Sequence, residues 1–203
     1  MYNIMAAEFQ REAARADWDE LNVISKVDLL YDRIDQYLRP RYLRIARRAY
    51  REAWEEFVPG QESDEERLDP VYVATLLDGY DKKTQYKYSS EWERKRDRLK
   101  EALLSMRDVS GRMSGGNSQE AREALRRSLD LLMRQVRQMA DTMTDEARNQ
   151  AFEDAGYDEV IWHTQEDTKV CKTCRARNGQ AYPIDQLPAK HPNCRCWYSP
   201  KTT

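Results

Sequence analysis

The sequence has few cysteines and histidines, no long apolar run and almost no net charge. Its 203 residues include four cysteines and two histidines, and 34 Lys and Arg residues nearly balance 36 Asp and Glu residues. No apolar run approaches the length of about 20 residues that a membrane-spanning helix needs. Residues 1–18 lack the apolar core of a signal peptide. The net charge of -2 gives no general attraction for nucleic acid or a membrane. We therefore expect a product that is made and kept in the cytosol of its producer, unless it leaves inside a particle, and that has no membrane partner.

Apolar residues are also scarce, at 40% of the chain, whereas charged residues make up 34%. Twelve tyrosines and five tryptophans add surface that can be buried. This length suits one domain or two small ones. The composition therefore indicates a charge-rich helical protein with a modest core, which gains stability from its partners.

The part of the chain before residue 157 has the periodicity of amphipathic helices. One apolar face runs from Ile24 to Leu38 and a second runs from Tyr42 to Phe57. Because proline is favoured in the first turn of a helix and disfavoured later, Pro40 predicts the start of a separate helix.

Later signals predict further helices. Asp69 followed by Pro70 predicts an N-cap and first turn of a short helix that ends near Asp78. A long helix is expected to bury a coiled-coil-like seam of Leu125, Leu129, Leu132, Val136, Met139 and Met143. Thr144 is expected to cap a further helix, which ends at Gly156.

All the cysteines and histidines lie between residues 162 and 200. Cys171 and Cys174 form a C-x-x-C pair, which can supply two zinc ligands from one turn. Cys194 and Cys196 would complete a four-thiolate site, with His191 as the alternate ligand. Reduced or redox-active thiols are the competing interpretation. A two-disulfide framework suits secreted chains, and nothing in this sequence indicates secretion.

Neighbouring residues are expected to support this module. Asn178-Gly179 predicts a type I′ hairpin that brings the two cysteine pairs together. Trp162 ends a predicted strand, and Asp167 is expected to cap the turn before Cys171 through backbone N–H groups. Because four thiolates leave zinc no open position, catalysis is not expected. His163 is interpreted as a packed or surface residue.

The predicted fold is mainly α, with a helical N-terminal region followed by a small α+β zinc-stapled C-terminal module. We predict a helical region at 1–110, a flexible glycine-serine joint at 111–117, a helical arm at 118–156 and the zinc-binding module at 157–203.

The module also suggests a zinc-knuckle nucleic-acid binder as an alternative. Its basic and aromatic residues are Lys169, Lys172, Arg175, Arg177, Lys190, Arg195, Tyr182, Trp197 and Tyr198. In the competing interpretation these charges solubilise the module while the aromatic rings cover its metal core. A toxin or enzyme is the less favoured third reading.

The order of these motifs resembles the C-terminal module of phage minor head proteins, the Mu-type head morphogenesis family. The resemblance is carried by Trp162, Thr164, Asp167, the C-x-x-C pair, Asn178-Gly179 and the final HPNCRC. It covers residues 140–200 best and weakens towards the N-terminus. The full set of four cysteines resembles the branch common in phages of low-GC Gram-positive bacteria.

The resemblance implies a structural minor capsid protein of the virion, assembled in the host cytoplasm. It would act in head morphogenesis at the portal vertex or capsid interior, in few copies, and aid DNA packaging or ejection. Its implied partners are the portal protein, the major capsid protein, genomic DNA and other copies of itself. No catalytic role is implied, and no fused toxin domain is expected after Cys196. The zinc ion would be structural.

Overall fold

The computed structural model describes residues 23–79, 88–106, 117–165, 167–191 and 194–202. Its helices are α1 (Val23–Phe57), α2 (Pro70–Asp78), α3 (Tyr88–Ser105), α4 (Asn117–Asp154) and α5 (Lys172–Arg177). The strands are β1 (Glu159–His163), β2 (Ala181–Pro183) and β3 (Trp197–Pro200), and short 3-10 turns lie at Glu65–Arg67 and Ile184–Gln186. The predicted mainly helical fold with a small α+β module at its C-terminal end is confirmed. None of the described helices combines the length and apolar character needed to cross a membrane.

The chain forms two compact units. The first contains residues Met1–Pro40 and Lys87–Arg137, and the second contains Arg41–Tyr86 and Gln138–Thr203. Helices α1 and α4 each contribute residues to both units. Residues 111–116 of the predicted joint lie outside the described residues, and the division into four segments stays a prediction.

The first unit buries the apolar faces of α1, α3 and α4 against one another. Tyr31 is fully buried, with its hydroxyl 2.9 Å from Ser128 Oγ and its ring edge-on to Trp92 at 5.4 Å. Gln135 Nε2 donates to the backbone oxygen of Tyr88 at 3.1 Å. These long-range polar contacts help to fix the register of the helices. If one helix shifted along another, a buried polar group would lose its hydrogen-bond partner.

Two predicted helix boundaries are wrong. Helix α1 continues through Pro40, and α4 continues through Thr144. Proline in a helix interior costs about 3 kcal/mol, but Leu38 and Tyr42 on either side are fully buried and stabilise the helical path. The Thr144 hydroxyl donates to the Ala140 oxygen at 3.0 Å instead of capping a new helix. Burial of the continuous apolar faces therefore outweighs both local signals.

The short helix α2 follows its sequence signals. The Asp69 side chain accepts a hydrogen bond from the Tyr72 N–H at 2.9 Å, Pro70 occupies the first turn, and the helix ends at Asp78. This N-cap is confirmed. The predicted seam of α4 is confirmed as well, since its six apolar residues from Leu125 to Met143 are all buried.

The second unit has its core against the inner face of the sheet. Phe57 and Phe152 meet edge to face at 5.4 Å, and the Tyr50 hydroxyl donates to Asp154 Oδ2 at 2.7 Å. Small residues of α1 and α4 share the core with the sheet: Ala46, Ala49, Ala53, Ala147 and Ala151. Trp162 of β1, the predicted support of the module, is 0% exposed and lies in this core.

The sheet has the order β2-β1-β3 with both pairs antiparallel. Lys201 N–H donates to Glu159 O at 2.9 Å, and Ile184 N–H donates to Asp158 O at 3.0 Å. In an antiparallel ladder, hydrogen-bonded residue pairs alternate with pairs that are not hydrogen-bonded. Pro200 and Pro183 belong to pairs of the second kind, so their backbone polar groups point away from β1. A proline there has no N–H to donate, which hinders pairing of either edge with another strand.

Two adjacent leucines of α4 test the core of the first unit. Leu132 is 0% exposed and Leu131 is 44% exposed. We expect Leu132→Ala to lower the free energy of unfolding by about 2–5 kcal/mol, because it leaves a cavity. The exposed Leu131→Ala should change it by no more than about 0.5 kcal/mol. Urea denaturation followed by circular dichroism measures both, and equal losses would contradict this assignment of the core.

Candidate metal centre

The first cysteine pair is placed by α5. Cys171 is the N-cap of this helix, and its sulfur accepts the backbone N–H of Cys174 at 3.3 Å. Because residues three apart lie on the same side of a helical turn, the two sulfurs face the same point. The C-x-x-C spacing therefore brings the two sulfurs together because it spans the first turn of a helix.

The second pair arrives on the segment that leads into β3. A turn in this segment is closed by the Cys194 N–H, which donates to the His191 oxygen at 3.0 Å. Cys196 is buried directly before β3 begins at Trp197. This loop therefore carries three potential donors towards the helical pair.

The donors converge on Cys174, which is 2% exposed. Its sulfur lies 3.2 Å from His191 Nε2 and 3.7 Å from Cys194 Sγ, and Cys171 Sγ lies 3.4 Å from His191 Nε2. The ligand atoms of Cys171, Cys174 and His191 lie within 4.8 Å of one another, as do those of Cys174, Cys194 and Cys196.

These distances suit a tetrahedral metal site. Zinc bond lengths of about 2.3 Å to sulfur and about 2.0 Å to nitrogen give edges of about 3.8 Å between two sulfurs and about 3.5 Å between sulfur and nitrogen. All four cysteines are free thiols. The predicted cysteines and His191 are therefore brought together as a cluster that could hold a metal ion. It offers five donors, one more than a tetrahedral ion takes.

The thiols lie in contrasting electrostatic environments. Hydrogen bonding from the Cys174 backbone N–H, with a smaller contribution from His191, lowers the pKa of the Cys171 thiol to about 7. Burial raises the pKa of the Cys174 thiol and of the Cys196 thiol. Several thiolates this close together repel one another unless a cation compensates their charge. The chemistry of the donor set thus fits a soft or borderline divalent ion such as Zn²⁺.

The predicted type I′ hairpin at Asn178-Gly179 is wrong. Asn178 has φ -56° and ψ 127°, Gly179 has φ 76°, and Gln180 N–H donates to Arg177 O at 3.0 Å. These angles define a type II turn, because a type I′ turn needs positive φ at both central residues. The residues before the turn form α5 and not a strand. The strand after the turn, β2, therefore pairs with β1 and not with the segment directly before the turn.

The same turn still supports the module. Asn178 Oδ1 accepts the backbone N–H of Thr164 at 2.9 Å, and Gly179 N–H donates to Trp162 O at 2.8 Å. Gly179 has the positive φ that a type II turn requires at its second central residue, and glycine adopts it without strain. The end of α5 is therefore tied to β1 by both side-chain and backbone bonds.

Asp167 caps its turn as predicted, since its Oδ1 accepts the Lys169 N–H at 2.9 Å. The same oxygen pairs with Arg195 at 2.5 Å. The Arg195 hydrogen bond holds the pKa of the Asp167 carboxyl below its usual range. Arg195 lies between Cys194 and Cys196, so this ion pair joins the two cysteine segments. The sequence carries no local signal for it, because the partners are far apart along the chain.

Lys190 is a second connection that sequence reasoning missed. Its ammonium donates to Asp145 Oδ2 and to the Cys196 oxygen, each at 2.6 Å, and lies 4.3 Å from the centre of the Tyr198 ring. Asp145 belongs to α4, so the loop that carries His191 is fastened to that helix. The Asp145 carboxyl is mostly desolvated, and burial raises its pKa against the opposing effect of Lys190.

His163 has a packing role, in agreement with its interpretation from the sequence. Its Nε2 lies 2.7 Å from Ser199 Oγ, and its ring stacks on Trp197 at 5.4 Å. Both contacts are cross-strand contacts between β1 and β3.

The described fold is thus a mainly helical protein whose C-terminal module combines a three-stranded sheet with a cysteine-histidine cluster. Residues 105–199 match the model of the family described as "Phage Mu protein F like protein". The predicted resemblance to the Mu-type head morphogenesis family is confirmed over this segment, which includes α4 and the entire cluster. The match supports a phage head morphogenesis or structural protein. No curated protein and no solved structure matches the chain.

Metal content tests the cluster directly. We expect the purified protein to contain about one zinc ion per chain and Cys174→Ser, which removes the donor common to both groups, to lose most of it, with a lower melting temperature. Thr173→Ala is the matched control, because this exposed residue lies inside the C-x-x-C pair and is not one of the clustered donors. Elemental analysis and thermal denaturation measure both effects. Well-folded protein without zinc, prepared in the absence of chelators, would refute this expectation.

The two overlapping donor groups make a further prediction. Cys174 belongs to both groups, whereas Cys171 and His191 belong to one. Cys174→Ser should therefore lower metal affinity more than either Cys171→Ser or His191→Ala, because it breaks both groups, whereas each of the other variants leaves the Cys174, Cys194 and Cys196 group complete. Competition with a chromophoric chelator measures the affinities, and equal losses in all three variants would contradict this ranking.

Proposed function

We propose that this chain is a structural minor head (minor capsid) protein of a tailed bacteriophage. The single observation that carries the proposal is the family match over residues 105–199, which contains the whole cysteine-histidine cluster. In this proposal the protein acts at the portal vertex or capsid interior and aids DNA packaging or ejection. The metal-stapled module is the contact element at the end of a helical chain.

The ion is proposed to be structural zinc, and the protein is proposed not to be an enzyme. A catalytic zinc site keeps a position open for water or substrate, whereas this cluster offers more protein donors than the ion needs. Thiolate-rich coordination also leaves the ion a weak Lewis acid. Asp167 supports the structural interpretation, because it accepts a backbone N–H and pairs with Arg195.

The alternative of a nucleic-acid-binding knuckle receives less support from the contacts. Arg195 pairs with Asp167, Lys190 pairs with Asp145, and Arg177 lies over the Trp162 ring at 5.0 Å. Among the proposed stacking residues, Tyr198 is buried, although Trp197 is 42% exposed. Charges and rings that are engaged inside the module contribute less to binding a strand. We therefore favour the portal protein and the major capsid protein as partners over genomic DNA, and self-association as a secondary contact.

Binding experiments with components of the same phage test this proposal. We expect the purified chain to bind immobilised portal or major capsid protein specifically, with little effect of added DNA. Cys174→Ser should weaken this binding because both donor groups lose their common member, whereas Thr173→Ala should bind like the wild type. Biolayer interferometry at low and high salt measures each interaction.

Two outcomes would overturn it. Failure to bind either head protein, together with strongly salt-dependent DNA binding by the wild type, would establish the nucleic-acid alternative. Nuclease or NAD-consuming activity that Cys171→Ser abolishes would instead establish an enzyme.

A further inference from the structure

The indole N–H of Trp162 is a buried donor without an assigned role. Trp162 is 0% exposed, and its Nε1 has no hydrogen-bond partner within the part of the chain that the structure describes. Buried polar groups in folded proteins nearly always have a partner. We therefore expect the Trp162 N–H to gain a hydrogen-bond acceptor when a neighbouring group changes its chemical state.

The register of the sheet identifies that neighbour. Trp162 of β1 lies directly opposite Tyr198 of β3, and the two rings meet edge to face at 5.3 Å. Cys196 precedes Tyr198 by two residues and is buried like it. Cys196, Tyr198 and Trp162 belong to one buried cluster, so Cys196 lies in the same core as the indole.

The indole is held firmly in this position. Tyr182 packs against it edge to face at 6.3 Å, and the Arg177 guanidinium lies 5.0 Å from the centre of the ring. Backbone bonds fix the residue on the β2 side, since Trp162 N–H donates to Gln180 O at 2.9 Å. The direction of the N–H is therefore set by packing before any ion binds.

The indole N–H of Trp162 could serve as a donor to the Cys196 sulfur. A donor of this kind favours the thiolate, which is the form that binds metal. The N–H lacks ordinary hydrogen-bond geometry in the described structure, and a thiolate drawn towards it would supply the missing acceptor.

We propose that Trp162 is a positioning residue of the metal centre, whose indole N–H donates to Cys196 Sγ when that sulfur ligates a divalent metal ion. The proposal rests on the metal-binding role of the cysteine cluster given above. The hydrogen bond would fix the rotamer of Cys196 and withdraw electron density from its sulfur. Outer contacts of this kind commonly change metal affinity by about 10–100-fold.

Cobalt(II) is a suitable probe, because its thiolate-to-metal charge-transfer bands report the electron density on sulfur. Trp162→Phe keeps an aromatic ring and removes the N–H. We expect this variant to bind Co²⁺ about tenfold more weakly and to shift the charge-transfer band to lower energy. Trp197→Phe is the matched control, because Trp197 stacks on His163 and is largely exposed. It should leave both quantities unchanged.

A measurement on the wild-type protein covers the case in which Trp162→Phe does not fold. In protein loaded with ¹¹³Cd, a hydrogen bond to a ligating sulfur gives a scalar coupling between the ion and the indole proton. We expect that coupling for Trp162 and not for Trp197. A folded, loaded protein that lacks it overturns the role of Trp162, as do identical cobalt spectra and affinities in wild type and Trp162→Phe. A wild-type protein that binds neither ion overturns the metal site itself and this proposal with it.

Discussion

The contacts around the Cys174 sulfur are the constraint on which the C-terminal module depends. Its neighbours come from a helix N-cap and from a loop about twenty residues later, and the sulfur lies 3.2 Å from His191 Nε2 and 3.7 Å from Cys194 Sγ. Thiols gathered this closely cannot all ionise without a cation. The cluster could therefore hold a cation, and in small metal-stapled modules metal binding and folding are coupled.

The cluster is built into the core of the second unit. Cys174 and Cys196 belong to the same buried set as Trp162 and Phe152. The loop that supplies His191 is fastened to α4 by the Lys190–Asp145 pair, and the Asp167–Arg195 pair joins the two cysteine segments. A change at the cluster should therefore affect more than the cysteine loop, because its cysteines share one apolar core with the helices.

Local patterns identified most elements of the fold, because they depend on neighbours in sequence. The Asp69 cap, the seam of α4 and β1 all appear where the residues place them. The boundaries at Pro40 and Thr144 failed for a physical reason: each local stop signal is outweighed by burial of apolar residues on both sides of it. At Asn178-Gly179 the dipeptide indicated a turn, but the helix before it selected type II rather than type I′.

The residues alone determined that the C-terminal segment holds a metal-type donor set, because ligand chemistry is a property of Cys and His at short spacing. They also predicted Trp162, Asp167, Asn178 and Gly179 as its supports. Tertiary structure decided what each support does. The partner of Asp167 is Arg195, the partner of Lys190 is Asp145, and Trp162 shares a buried cluster with Cys196. Contacts between residues far apart along the chain depend on strand register and helix packing, and no local pattern encodes them.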